Sequence, residues 1–261
     1  MVLSHERRGA GEPLVLIHPL GGEWQVWEPV LDALAAHRDV IALDLPGFGG
    51  SAPMPEDTVP TPAALAAAVE AFLRQIGVES AHVAGNSLGG WVALELAARG
   101  AARSVTALSP AGLWAQPLAP NGALAHRFAR AALPLLLGLA STPPGRRRVL
   151  ASTVGHPERV PADAARRLVA AYARAPGFEA VNAAMRQSRF LDARALRVPV
   201  TVVWGQLDRL VARQRLEGAS RTVVLPDCGH IPMWDDPEAV VRVLLEGSAS
   251  RAPSGGPAEL R

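Results

Sequence analysis

A series of short apolar runs that lack polar alternation constrains this chain more than any other feature. Residues 14–17, 39–43, 81–84, 104–108, 200–204 and 222–225 each read as a strand buried on both faces. Between most of them lie stretches of helical period, at residues 23–37, 61–76 and 88–99, and a last helix opens at Asp236-Pro237 and runs to about residue 245. Thr61 is placed to cap the second helix, with Pro62 in its first turn. Strands of this kind, joined by helices, predict an α/β fold. It has a mostly parallel central sheet covered by helices on both faces.

One interval departs from this rhythm. Residues 114–193 are rich in Ala, Arg and Leu, have helical periodicity and show no strand. The interval is far longer than an ordinary crossover. It is expected to form a helical cap over the strand ends, inserted into a core of residues 1–113 and 194–246. Residues 247–261, full of Ser, Pro and Gly, are expected to be a disordered tail.

Composition narrows the chemistry. Apolar residues make up 49% of the 261 and charged residues 19%, enough for a large core and too little charge for wholesale disorder. The formal net charge is only +2, and all 26 basic residues are arginine. Arginine stays protonated to very high pH, so the sequence pI of 9.4 overstates how basic the surface is at neutrality. Nothing in the charge balance argues for nucleic acid. Without lysine, neither a P-loop nor a Schiff-base mechanism is available. Cys228 is the single cysteine, so no intramolecular disulfide forms. The first residues lack the apolar stretch of a signal peptide. The longest apolar run, residues 131–140, contains Pro134 and Gly138 and falls short of the ~20 residues that span a bilayer. A cytoplasmic protein without a membrane span is the expectation, as monomer or homodimer.

The sharpest local signal is Gly85-Asn86-Ser87-Leu88-Gly89-Gly90, where an apolar strand ends and a helix begins. A serine held out on so tight a turn needs small neighbours two residues either side, and both are glycine. The helix start also aims free N–H groups at charge developing beside Ser87. A serine hydroxyl is a weak nucleophile and needs a base. His230, in Asp227-Cys228-Gly229-His230-Ile231-Pro232, follows the last strand at the carboxyl edge of the sheet, where ligands of open α/β sheets bind. The other histidines fit less well: His5, His37, His126 and His156 lie in segments expected to be exposed, and His82 within a strand. Asp208, in Trp204-Gly205-Gln206-Leu207-Asp208, completes the chain order Ser, Asp, His. Its role would be to fix the tautomer of His230 and stabilise its imidazolium. No carboxylate follows the preceding strand, in Leu108-Ser109-Pro110-Ala111-Gly112. Two N–H donors are needed for an oxyanion. Leu88 supplies one. In His18-Pro19-Leu20-Gly21-Gly22 the better second donor is Leu20, because Pro19 has no N–H. His18 is expected to hold that loop by a hydrogen bond.

These segments, together with Asp44-Leu45-Pro46-Gly47-Phe48-Gly49-Gly50-Ser51, make the chain resemble the α/β-hydrolase superfamily over about residues 5–246. The resemblance implies a serine hydrolase that needs no metal or cofactor and acts on a small molecule, with residues 114–193 as the family's cap domain. Two departures stand out. Pro19 occupies a position where the family usually has Gly, and the short N-terminus suggests that the antiparallel edge strand is missing. Fold is poor evidence for substrate. Serine at the elbow disfavours the related haloalkane dehalogenases and epoxide hydrolases, which use Asp there. Asn86 fits the carbon–carbon bond hydrolases that cleave vinylogous diketones, but Ile231 stands where those have Trp. A carboxylic ester hydrolase for small apolar acids is therefore expected. Cofactor-free haloperoxidase-like relatives and a non-catalytic binding module are the other readings. Residues 133–139 read either as packing or as a lipophilic wall centred on Leu136. Trp24, Asn86 and Trp114 are the further candidate substrate contacts, and Trp27 and Trp91 are also considered. Arg146-Arg147-Arg148 reads as a solvated charge run.

Overall fold

The computed structural model describes residues 1–121 and 123–249. In chain order its first half comprises β1 (His5–Arg8), β2 (Pro13–Ile17), α1 (Glu28–Ala35), β3 (Asp39–Leu43), α2 (Pro62–Gln75), β4 (Ala81–Asn86), α3 (Leu88–Ala98) and β5 (Ala102–Leu108). Five helices follow: α4 (Leu124–Ala131), α5 (Leu133–Ala140), α6 (Pro143–Val149), α7 (Ala162–Arg174) and α8 (Phe178–Arg186). The chain then returns to β6 (Val200–Gly205), β7 (Arg221–Leu225) and α9 (Pro237–Ala249).

The strands form one sheet in the order β1-β3-β2-β4-β5-β6-β7. Every neighbouring pair is parallel except β1 and β3. The antiparallel edge strand expected to be missing is therefore present. Its sequence, His5-Glu6-Arg7-Arg8, has no apolar signal because an edge strand is free to carry charge. Arg7 donates from Nε and Nη2 to the carboxylate of Asp39, at 2.9 and 2.6 Å.

From β2 the strand order runs outward in both directions, to β3 on one side and β4 on the other. Such a reversal opens a crevice at the carboxyl ends of the strands, and the loops after β2 and β4 face each other across it. The sheet is covered on both faces, each with its own apolar cluster. One holds Leu65, Val69 and Phe72 of α2 with Trp91 and Leu94 of α3, and the other Val30, Leu31 and Leu34 of α1 with Val240 and Leu244 of α9. Thr61 caps α2 as expected, its Oγ1 accepting from Ala64 N at 3.1 Å.

Between β5 and β6 the described residues form helices and no strand. This helical insertion is continuous with the core. Phe178, Val181 and Met185 join the first cluster, and Leu150, Val154, Ala164, Ala165 and Val169 the second. Gly177 N donates to Gly47 O at 2.9 Å, so close a backbone approach that a Cβ on either glycine would press on the other. At the other end, α9 extends through Ala249, so residues 247–249 belong to a helix and not to the expected tail. Residues 250–261 of that tail lie outside the described residues. Among the described residues no helix is long and apolar enough to cross a membrane.

Candidate active site

Ser87 sits between the end of β4 and the start of α3 with φ 57° and ψ −114°, a conformation that L-residues rarely adopt. The surroundings hold it there. Ser87 N donates to Leu108 O at 2.8 Å, and Ser87 O accepts from Trp91 N at 3.1 Å and Ala111 N at 3.0 Å. The flanking glycines are sterically required: a Cβ on Gly85 would collide with the carbonyl of Gly89, and one on Gly89 with the carbonyls of Ile17 and His18. That second contact also presses the start of α3 against the loop after β2. As the first residue of α3, Leu88 has an N–H with no intrahelical partner. Leu20 N likewise makes no backbone hydrogen bond among those of the described loops. His18 holds this loop as expected. Its Nε2 accepts from Leu45 N at 2.9 Å, so Nδ1 carries the proton and donates to Pro19 O at 2.7 Å. Burial pushes the His18 pKa down, against the Pro19 carbonyl and the Asp44 charge.

His230 Nδ1 lies 2.8 Å from Asp208 Oδ2, and both side chains are almost wholly buried. Asp208 Oδ1 accepts from Leu210 N at 2.8 Å and Val211 N at 3.0 Å. Burial alone would raise the Asp208 pKa. The hydrogen bond and charge of His230, with the Val211 N–H, outweigh it and hold the carboxyl below the usual range. With Asp208 ionised, Nδ1 must be the donor, which leaves the lone pair on Nε2. Ser87 Oγ makes no hydrogen bond to His230 among the described residues, and such contacts are often long in ligand-free sites. The two loops are joined through Asn86, whose Nδ2 donates to Leu108 O at 3.1 Å and to His230 O at 2.9 Å.

Asn86 is thus placed differently from expectation. It is fully buried and its amide nitrogen ties two loops together. Trp24 and Trp114 are half-buried. Trp114 stands edge-on to Trp91 at 5.6 Å and donates from Nε1 to Ser188 O. Trp27 and Trp91 are core. Leu136 packs with Leu133 and Leu137 against the second apolar cluster, whereas Leu135 turns outward. The 133–139 segment therefore does not act as one wall. His126, expected to be exposed, is buried because one face of α4 packs inward, and its ring stacks on Phe178 at 4.2 Å. Arg147 and Arg148 are exposed as expected, but Arg146 is buried and donates to the Ala140 and Glu158 carbonyls.

One residue carries no sequence signal at all. Asp235 Oδ2 accepts from Gly155 N at 2.9 Å and Gly229 N at 2.7 Å, and its Oδ1 from His156 N at 2.8 Å. It clamps the helical insertion to the loop that carries His230. Beneath it three backbones stack closely. A Cβ on Gly205 would meet the Gly229 carbonyl, and one on Gly229 would meet Val154 and Gly155. Cys228 lies in the same loop. Burial and the neighbouring Asp235, Asp236 and Asp227 push its thiol up to about 12.

Sheet order, the strained turn at Ser87 and the paired His230 and Asp208 together define an α/β protein with a serine turn and a His–Asp pair on loops of one sheet. Residues 14–243 match the model of the alpha/beta hydrolase family. Over 211 residues, 70% of this chain and 92% of the relative, the sequence is 33% identical to epoxide hydrolase EphH of Mycobacterium tuberculosis. Over 260 residues, 94% of this chain and 98% of the relative, it is 30% identical to a pimeloyl-[acyl-carrier protein] methyl ester esterase of Aeromonas salmonicida. Among solved structures, a bacterial membrane phospholipase A superposes with a TM-score of 0.74 at 27% identity, covering 95% of this chain and 84% of that one. The chain belongs to the alpha/beta hydrolase family. It is a hydrolytic enzyme.

Proposed function

We propose that the protein is a serine hydrolase cleaving carboxylic esters of small apolar acids through an acyl-enzyme. The observation that carries this reading is the pairing of two features: Ser87 held in a strained turn, and His230 locked to Asp208 through Nδ1. Ser87 Oγ attacks the ester carbonyl as His230 Nε2 takes its proton. The Leu20 and Leu88 N–H groups receive the oxyanion. The imidazolium, stabilised by Asp208, then protonates the departing alkoxide, and water repeats the sequence on the acyl-enzyme. Half-buried Trp24, Trp114 and Leu136 are the proposed apolar contacts.

The chemistry of residue 87 separates this reading from epoxide hydrolysis. A carboxylate that opens an epoxide forms an ester, which water can cleave. A serine alkoxide would form an ether, which water cannot. The carbon–carbon hydrolase reading is weakened at Asn86, whose Nδ2 is taken by two backbone carbonyls, although its Oδ1 has no partner among the described residues.

A fluorophosphonate should label the protein once, at Ser87, and Ser87→Ala should abolish labelling and turnover. A p-nitrophenyl ester series from acetate to decanoate, run beside a vinylogous diketone, tests the substrate class. Each methylene buried in an apolar pocket adds ~0.8 kcal/mol. The gain in kcat/KM is then up to about fourfold per carbon until the pocket is full. Turnover of the diketone alone would refute the ester reading, and labelling at another serine would refute the mechanism. A protein that neither labels nor turns over any of these would refute both the serine mechanism and the ester reading.

A further inference from the structure

We propose that Ser109 is a positioning residue whose hydroxyl donates a further hydrogen bond to the Asp208 carboxylate and so fixes the group that orients His230. The role rests on the serine-hydrolase reading above. Ser109 is the first residue after β5, and its N–H donates to Val203 O at 2.7 Å. Leu108 pairs with Val203, so the parallel register brings Ser109 to the end of β6, beside Trp204. Beyond β6 the chain turns back at once, with Asp208 N donating to Gly205 O at 3.2 Å. Residues 109 and 208 therefore stand on neighbouring loops at the carboxyl edge of the sheet.

Stability alone does not select serine at this place. Its φ is 43°, in the left-handed region where glycine is unstrained and a side chain is not. The residue is buried, and among the described residues its Oγ makes no hydrogen bond. A buried hydroxyl without a partner is destabilising. Asp208 is the acceptor beside it. The Ser109 hydroxyl joins His230 and the Val211 N–H among the groups that favour the charged carboxylate. A carboxylate has about four acceptor positions. Leu210 N and Val211 N take two on Oδ1 and His230 Nδ1 takes one on Oδ2, so the position left is on Oδ2. Hydrogen bonds in a catalytic site are often long before substrate arrives and tighten in the complex. The tightening would come as His230 takes the Ser87 proton and its imidazolium draws on the Asp208 charge. The same turn also holds the nucleophile. Leu108 O accepts from Ser87 N at 2.8 Å and from Asn86 Nδ2 at 3.1 Å, and Ala111 N donates to Ser87 O at 3.0 Å. Residues 108–111 thus grip the Ser87 turn on one side and meet Asp208 on the other.

The test is kcat, KM, pH profile and Tm of Ser109→Gly and Ser109→Ala, with a p-nitrophenyl ester as substrate. Ser109→Gly removes the hydroxyl and relieves the backbone, so its Tm should equal or exceed that of the parent. Its kcat should nevertheless fall about tenfold, the loss expected from one hydrogen bond to a charged group. KM should stay unchanged, because the bond acts in the transition state and not on bound substrate. Without the hydroxyl, Asp208 is more basic and holds the imidazolium proton more tightly, so the acid limb of kcat/KM should move up by about half a pH unit. A purely structural residue would lower the rate without moving that limb. Ser109→Ala should show the same kinetic changes. With Asp208 already replaced by Ala, Ser109→Gly should cost nothing further. A parent-like kcat and pH profile in Ser109→Gly overturns the role and leaves the serine mechanism standing, as does a loss that adds in full to that of Asp208→Ala. A parent that neither labels at Ser87 nor turns over an ester overturns both together.

Discussion

Replacing Asp235 by Asn should loosen the contact between the helical insertion and the loop of His230. The carboxylate accepts three backbone N–H groups at 2.7 to 2.9 Å, two on Oδ2 and one on Oδ1. An amide has only one oxygen. Keeping it on Gly155 N and Gly229 N turns the NH2 toward His156 N, donor against donor. A hydrogen bond to a charged group contributes about 1.5–3 kcal/mol. The two remaining bonds lose their charge assistance as well. Because Asp235 is half-buried and water can reach the freed donor, we expect the lower end, about 2 kcal/mol for Asp235→Asn and about 4 for Asp235→Ala. For a chain of this size each kcal/mol moves Tm by about 2–4 °C. Thermal and urea unfolding followed by circular dichroism read this out. Asp235 also fixes the residue before His230, so kcat should fall several-fold while the fluorophosphonate still labels Ser87. An Asp235→Asn protein with unchanged Tm and unchanged kcat would refute the clamp.

Further outcomes follow from the same contacts. Burial lowers the pKa of His18, His82 and His126. Below about pH 6.5 the unfolded chain therefore binds protons that the native state does not, and the urea midpoint should fall between about pH 7 and 5. Asp208, whose folded pKa is depressed, adds a further loss once the pH drops below about 4. A midpoint flat across this range would contradict the burial of those imidazoles. Cys228 should resist a thiol reagent at pH 8 in the native protein and react once in urea, because its thiol is pushed up to about 12. Gly205→Ala should fail to fold or lose most of its stability, since its Cβ has no room beside the Gly229 carbonyl. Gly138→Ala, with open space around it in α5, should instead stabilise the protein by about 1 kcal/mol in urea titration.

The sequence by itself determined the parallel α/β fold, because a strand buried on both faces must be apolar throughout, and residues 39–43 or 200–204 leave no other reading. It also singled out Ser87, Asp208 and His230, because a tight strand-to-helix turn imposes glycines at fixed offsets and the order of strand ends is the order of the chain. It could not show β1, since an edge strand may be built from charged residues such as Arg7 and Arg8. Neither could it show that His126 and Arg146 are buried, because the inward face of a short helix is chosen by what packs on it, here Phe178 for one and the Ala140 and Glu158 carbonyls for the other. Asn86 looked like a substrate contact and Asp235 looked like nothing. Both work by accepting or donating to backbone groups distant in the chain, 144 residues away for Asn86 and His230 and 80 for Asp235 and Gly155. Backbone partners have no sequence signature, so only the folded chain decides which loops such side chains hold together.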